Sequence, residues 1–187
     1  TMKYKHIIWD WNGTLLNDLT LCVDMLNISL KNRGLPSISE DKYKKKFLFP
    51  IKTFYESIGF DFSNEDFKIA NEEFHVGFES NFKKLALQPY AIETISSFKK
   101  LGITQSILSA TIQRKLDNQV EFFGISHLID NIVGISNTPS GYGKEFEGKE
   151  LIGSVNISLK DTIIIGDSML DFNVSKALGI DCALVSN

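Results

Sequence analysis

Apolar and polar positions alternate in two distinct regimes along the chain. Lys5 to Trp9 is a short apolar run that ends at Asp10, the pattern of a buried strand with a carboxylate at its carboxyl end. Gly13 and Thr14 then turn the chain. From about Asn17 to Leu87 the spacing is helical. Leu19, Val23, Leu26 and Leu30 form one stripe, stopped by Gly34 and Pro36. Ser39 can cap a second helix. Pro50 can open a third, with Phe54, Tyr55 and Ile58 on its apolar face. Ser63 and Asp66 have the spacing of a capping box for a fourth, which the pattern carries to about Leu85. From Pro89 onward strands and helices alternate. Strands are expected at 103–108 (ending at Ser109), 129–135, 162–165 and 180–185. Helices are expected at 91–101, 112–123, 145–155 and 170–178.

Strands alternating with helices of this length predict an α/β fold, a doubly wound parallel sheet carrying an inserted small helical bundle. The expected division is a core of residues 1–16 and 88–187 and an insertion of residues 17–87. Composition agrees with a folded chain: 43% hydrophobic and 23% charged residues over 187 positions. A net charge of −3 and a lysine-dominated basic set argue against a nucleic-acid surface. No apolar run reaches the length of a membrane span or signal peptide, so no membrane association and a cytoplasmic location are expected. Cys22 and Cys182 sit in apolar patterns, as two reduced thiols or, less simply, a disulfide.

In doubly wound sheets ligands bind beyond the carboxyl ends of the strands. Polar residues gather there: Asp10 and Asn12 after the first strand, Ser109 after the next, and Gly166-Asp167 after the apolar run 162–165. Two carboxylates brought together repel unless a cation lies between them. Oxygen ligands without clustered His or Cys point to Mg²⁺. Ser109 offers a hydroxyl donor, and a lysine at a nearby helix start would offer a compact positive charge.

These residues resemble the motifs of the haloacid dehalogenase superfamily. Asp10-Trp11-Asn12-Gly13-Thr14 resembles its first motif, Asp-x-Asp-Gly-Thr. Ser109 resembles the second, and Gly166-Asp167-Ser168-Met169-Leu170-Asp171 the fourth, Gly-Asp-x-x-x-Asp. The third is a lone upstream lysine, Lys144 or, as second choice, Lys149. The helical insertion resembles the family's cap, in the position found in the phosphoglycolate phosphatase-like branch. The resemblance implies a phosphatase acting on a small phosphorylated metabolite, with the cap closing over the site. It implies Asp10 as nucleophile and metal ligand, and the main-chain carbonyl of Asn12, Asp167 and Asp171 as further Mg²⁺ ligands. Thr14, Ser109, the backbone at Ala110 and Lys144 would hold the phosphoryl group.

Asn12 departs from the family, which has an aspartate acting as general acid and base there. An amide has no titratable proton near neutrality, and general acid–base help is worth roughly 10²–10⁴ in rate. Slow turnover of poor leaving groups is expected. Two alternatives follow: a non-catalytic binder of a phosphorylated metabolite, and a phosphonate-cleaving hydrolase in which Lys52 of the insertion forms a Schiff base; Lys52 is otherwise expected to grip the substrate or to lie on the surface.

Overall fold

A computed structural model describes residues 3–136 and 143–186. The chain forms two compact units, one of Thr1–Asn17 with Ala86–Asn187 and the other of Asp18–Leu85.

In the first unit the strands are β1 (His6–Trp9), β2 (Leu16–Asn17), β3 (Ala86–Leu87), β4 (Thr104–Ile112), β5 (Asn131–Ile135), β6 (Thr162–Gly166) and β7 (Asp181–Leu184). Five of them make a wholly parallel sheet in the order β5-β4-β1-β6-β7. β1 is central and all four of its residues are buried, which is why it reads as an unbroken apolar run. The chain builds outward from β1 to β4 and β5, then returns to build β6 and β7 on the other side. The order therefore reverses between β1 and β6, the crevice where such sheets place ligands.

Successive residues of β1 face opposite layers. Ile8 packs with Leu108, Leu151, Ile164, Val174 and Leu178 beneath α7 (Glu145–Ser154) and α8 (Met169–Leu178). Trp9 faces the other way and stacks on Phe98 of α5 (Ala91–Lys100), with ring centroids 6.1 Å apart. Its indole N–H donates to Gln105. Trp11 is fully buried, donates to Gln119 of α6 (Gln113–Phe122) at 2.8 Å and packs on Phe123.

The second unit holds α1 (Leu19–Asn32), α2 (Glu40–Lys46), α3 (Ile51–Ser57) and α4 (Phe67–Asn81). Its core is aromatic: Phe54, Tyr55 and Phe60 are buried among Tyr43, Phe47, Phe62 and Phe67. Arg33, at the end of α1, ties this unit together. It is paired with Glu65 and, at 2.8 Å, with Glu73, and it lies 5.3 Å over the Phe60 ring.

Several local expectations shift. The fourth helix is capped by Asp66 alone, whose carboxylate accepts from the Lys68 N–H at 2.9 Å, while the Ser63 N–H turns back to Asp61. It ends at Asn81 and gives way to a 3₁₀ turn at Phe82–Lys84. The strand expected to stop at Ser109 continues to Ile112, with its register against β5 shifted between Leu108 and Ile112. Leu16–Asn17 and Ala86–Leu87, read in part as helical sequence, pair as a small antiparallel ladder.

Candidate active site

The register of the sheet sets the site. Trp9 is level with Ile107 of β4 and Ile165 of β6, so Asp10 emerges just as both neighbours end their regular pairing. The Asp10 N–H donates to the Ile165 carbonyl at 2.8 Å, which fixes the carboxylate beside the Gly166-Asp167 turn. Carboxylate oxygens of Asp10, Asp167 and Asp171 come within 4.8 Å of one another. Asp10 and Asp171 are buried, whereas Asp167 is exposed.

Two glycines make this approach feasible. A Cβ on Gly13, which has φ +78°, would run into the Asp167 carboxylate. A Cβ on Gly166 would run into the carboxyl of Asp171. Each motif glycine is thus the seat of a carboxylate from the Gly-Asp-x-x-x-Asp segment. Asp171 lies in the first turn of α8, where its Oδ2 accepts from the Ser168 N–H at 3.2 Å and hydroxyl at 2.9 Å.

Of the two candidate lysines, it is Lys144 that lies against these carboxylates, and it is 1% exposed. Its ammonium donates to Asp10 Oδ1 at 2.5 Å and to the Leu108 carbonyl at 2.8 Å, and pairs with Asp171 Oδ1 at 2.8 Å. The last contact is an ion pair without good hydrogen-bond alignment. Of its three N–H groups, two are given to Asp10 and Leu108, while Asp171 is met as an ion pair. Lys149 is exposed and pairs with Glu145 one turn away, apart from the carboxylates.

Three carboxylates gather here with one ammonium, which pairs with two of them, and the protonation balance reflects the excess of negative charge. Burial lifts Asp10 above the usual carboxylate range; Lys144 opposes that, and Asp171 and Asp167 add to it. Asp167 is pushed up by partial withdrawal from water and by the Asp171 charge. Burial would lower Lys144, yet Asp10 and Asp171 more than offset it and hold the ammonium above the ordinary lysine range. Such a cluster needs a further positive charge. An all-oxygen donor set fits a hard divalent cation, so the residues present suit Mg²⁺.

Thr14 lies between the two motif aspartates. Its hydroxyl is 3.3 Å from Asp10 Oδ2 and 3.2 Å from Asp167 Oδ1. Asn12 Oδ1 accepts from the hydroxyls of Thr111 at 3.0 Å and Ser109 at 3.4 Å. Ser109 Oγ also accepts from the Thr111 N–H at 3.1 Å. Ala110 lies in the register shift of β4 between these two hydroxyl residues. Sequence reasoning missed Thr111, although Ser109 and Thr111 are two apart on one strand and so share a face. Lys52 lies in the second unit on α3, exposed and 3.6 Å from Glu56. That is not the buried setting that Schiff-base chemistry asks of a lysine.

The model of the haloacid dehalogenase-like hydrolases matches residues 7–185. The chain belongs to the haloacid dehalogenase-like hydrolase family. At 22% identity the hydrolase aligns with a phosphoglycolate phosphatase of Haemophilus influenzae, over 98% of this chain and 85% of that protein. Among solved structures it resembles a haloacid dehalogenase-like family protein from Streptococcus pneumoniae, with a TM-score of 0.83 at 17% identity over 100% of this chain and 86% of the other. It also resembles a Haemophilus somnus protein described as a predicted phosphoglycolate phosphatase, with a TM-score of 0.78 at 22% identity and the same coverages. These structural likenesses concern the fold. Among the described residues of the hydrolase, no helix is long and apolar enough to cross a membrane.

Proposed function

We propose that this hydrolase is a Mg²⁺-dependent phosphatase that cleaves a small phosphate monoester through a phosphoaspartate on Asp10. The observation that carries the reading is the convergence of three carboxylates at the β1–β6 crevice, two of them paired with one buried lysine. Asp10, Asp167 and the main-chain carbonyl of Asn12 would hold the cation, with Asp171 supporting directly or through water. When bound, the cation would offset carboxylate charge and polarise phosphoryl oxygens.

Asp10 supplies a carboxylate oxygen that forms a bond to phosphorus while the bond to the leaving alkoxide breaks. Lys144 favours the ionised form of that carboxylate against the effect of burial and fixes its position. With two donors given to Asp10 and Leu108 and an ion pair to Asp171, it acts on the phosphoryl group first through its charge. Ser109, Thr14 and the backbone at Ala110 supply donors to the phosphoryl oxygens. Asn12 can donate a hydrogen bond but no proton, so the leaving alkoxide takes its proton from water or from the substrate itself. Water then hydrolyses the phosphoaspartate. Turnover is slow for alkyl phosphates and faster where the leaving group needs little protonation.

The substrate class is a short-acid or sugar phosphate, in line with the phosphoglycolate phosphatases among the relatives. A screen of small phosphate esters with Mg²⁺, beside Asp10→Ala, tests the reading. Turnover that disappears in Asp10→Ala and on chelation of the metal is the expected result. Turnover that survives Asp10→Ala would overturn it. The neutral amide at position 12 favours one second reading, a binder of a phosphorylated metabolite. Mg²⁺-dependent binding of beryllium fluoride without hydrolysis of any ester in the screen would select that one.

A further inference from the structure

We infer that Thr111 is a positioning residue that fixes the orientation of the Asn12 amide and leaves the Ser109 hydroxyl available to the phosphoryl group. The inference rests on the phosphatase reading above for its kinetic consequences and on geometry alone for its structural part.

Two hydroxyls converge on Asn12 Oδ1, and they are not equivalent. Thr111 donates at 3.0 Å, an ordinary hydrogen bond; Ser109 donates at 3.4 Å, a long and weak one. The Ser109 oxygen is meanwhile held by the Thr111 N–H at 3.1 Å. Thr111 therefore grips both partners, Ser109 through its backbone and Asn12 through its side chain. A hydroxyl has one proton to give. When a phosphoryl oxygen arrives, Ser109 can transfer its donation only by leaving Asn12 Oδ1. The Thr111 bond remains, so the amide keeps its carbonyl oxygen toward β4 and its –NH₂ group turned to the opposite side.

That orientation matters because the two ends of an amide have opposite chemistry. With Oδ1 held by hydroxyls, the amide's oxygen is fixed on the β4 side. A flipped amide would present an acceptor, which repels phosphoryl and alkoxide oxygens alike. Thr111 itself is set by the register shift of β4. The Gln113 side chain accepts from the Gly134 N–H at 2.7 Å and donates to the Ile132 carbonyl at 3.0 Å, stitching the shifted segment to β5.

The test is a double-mutant cycle between positions 111 and 12, with p-nitrophenyl phosphate and an alkyl phosphate as substrates and Mg²⁺ present. Thr111→Val is expected to lower kcat with the alkyl ester by about tenfold, the worth of one oriented hydrogen bond. The aryl ester, whose leaving group needs less help, loses less. Thr111→Ser restores the rate, and Thr111→Val has little further effect in an Asn12→Ala background. An equal loss in the Asn12→Ala background, or no rescue by Thr111→Ser, overturns the inference. A readout independent of turnover is the ¹⁵N side-chain amide signal of Asn12, assigned by its loss in Asn12→Ala. A hydrogen bond accepted at Oδ1 polarises the amide, so this signal should keep its chemical shift in Thr111→Ser and move in Thr111→Val. An unmoved signal in Thr111→Val also overturns the inference. If the wild type hydrolyses neither ester, the phosphatase reading fails on its own, and the amide shift still decides the role of Thr111.

Discussion

At the scale of single residues, burial separates functional groups from look-alikes. Lys144 and Lys149 lie on neighbouring turns, yet only Lys144 is enclosed with Asp10 and Asp171. Lys144→Met leaves two buried carboxylates without their counter-charge. It should lower stability by about 3 kcal/mol or more in urea denaturation and turnover by at least about a hundredfold. Lys149→Met removes an exposed pair of adjacent turns and should change stability by less than about 0.5 kcal/mol. Asp10 and Asp167 were legible in the sequence because a carboxylate closing an apolar run is conspicuous. The choice between the lysines was not, since sequence does not give burial. Thr111 was legible in principle from strand alternation, but it lay beyond Ser109, where the apolar pattern had ended.

At the scale of elements, β1, β4 and β5 share a buried polar link. Asn131 donates to Ser106 Oγ at 3.0 Å, and Ser106 is 2.8 Å from His6 Nε2. Burial pulls His6 down to about 4, against a smaller opposing pull from Asp130. The unfolded chain takes up this proton near pH 6.5 while the folded chain resists it. This part of the stability is therefore complete above about pH 6.5 and is lost as pH falls toward 4. Replacing His6 with Gln should flatten the decline in that window by up to about 3 kcal/mol relative to wild type, read by urea midpoints at a series of pH values. The long strands and helices of the core were readable because their periods differ. The two-residue strands β2 and β3 were not, for a pair that short has no period. The cap of α4 moved from Ser63 to Asp66 because the local turn, not the residue type, decides which side chain meets the free N–H groups.

At the scale of the whole molecule, the chain leaves the sheet unit through β2 and re-enters through β3, and those strands are hydrogen-bonded neighbours with Leu16 opposite Leu87. Removing residues 18–85 and joining Asn17 to Ala86 by a two-residue Asn-Gly turn should therefore leave a core that folds cooperatively, since the join completes a hairpin. Circular dichroism and a thermal transition that rises with added Mg²⁺ would show it; an aggregated or molten product would count against the core's independence. The doubly wound architecture itself followed from the strand–helix alternation after Pro89. The helical insertion was equally visible from its unbroken three-to-four spacing.

Trp9 and Trp11 are the chain's two tryptophans, and they flank Asp10 on either side. Both indoles are buried, one stacked on Phe98 and the other against Phe123. The insertion contains tyrosine and phenylalanine but no tryptophan. Selective excitation of indole fluorescence thus reports on the first unit beside Asp10 and not on the insertion. A titration watched through the indoles would therefore register a ligand felt beside Asp10 and stay silent to a change confined to the insertion.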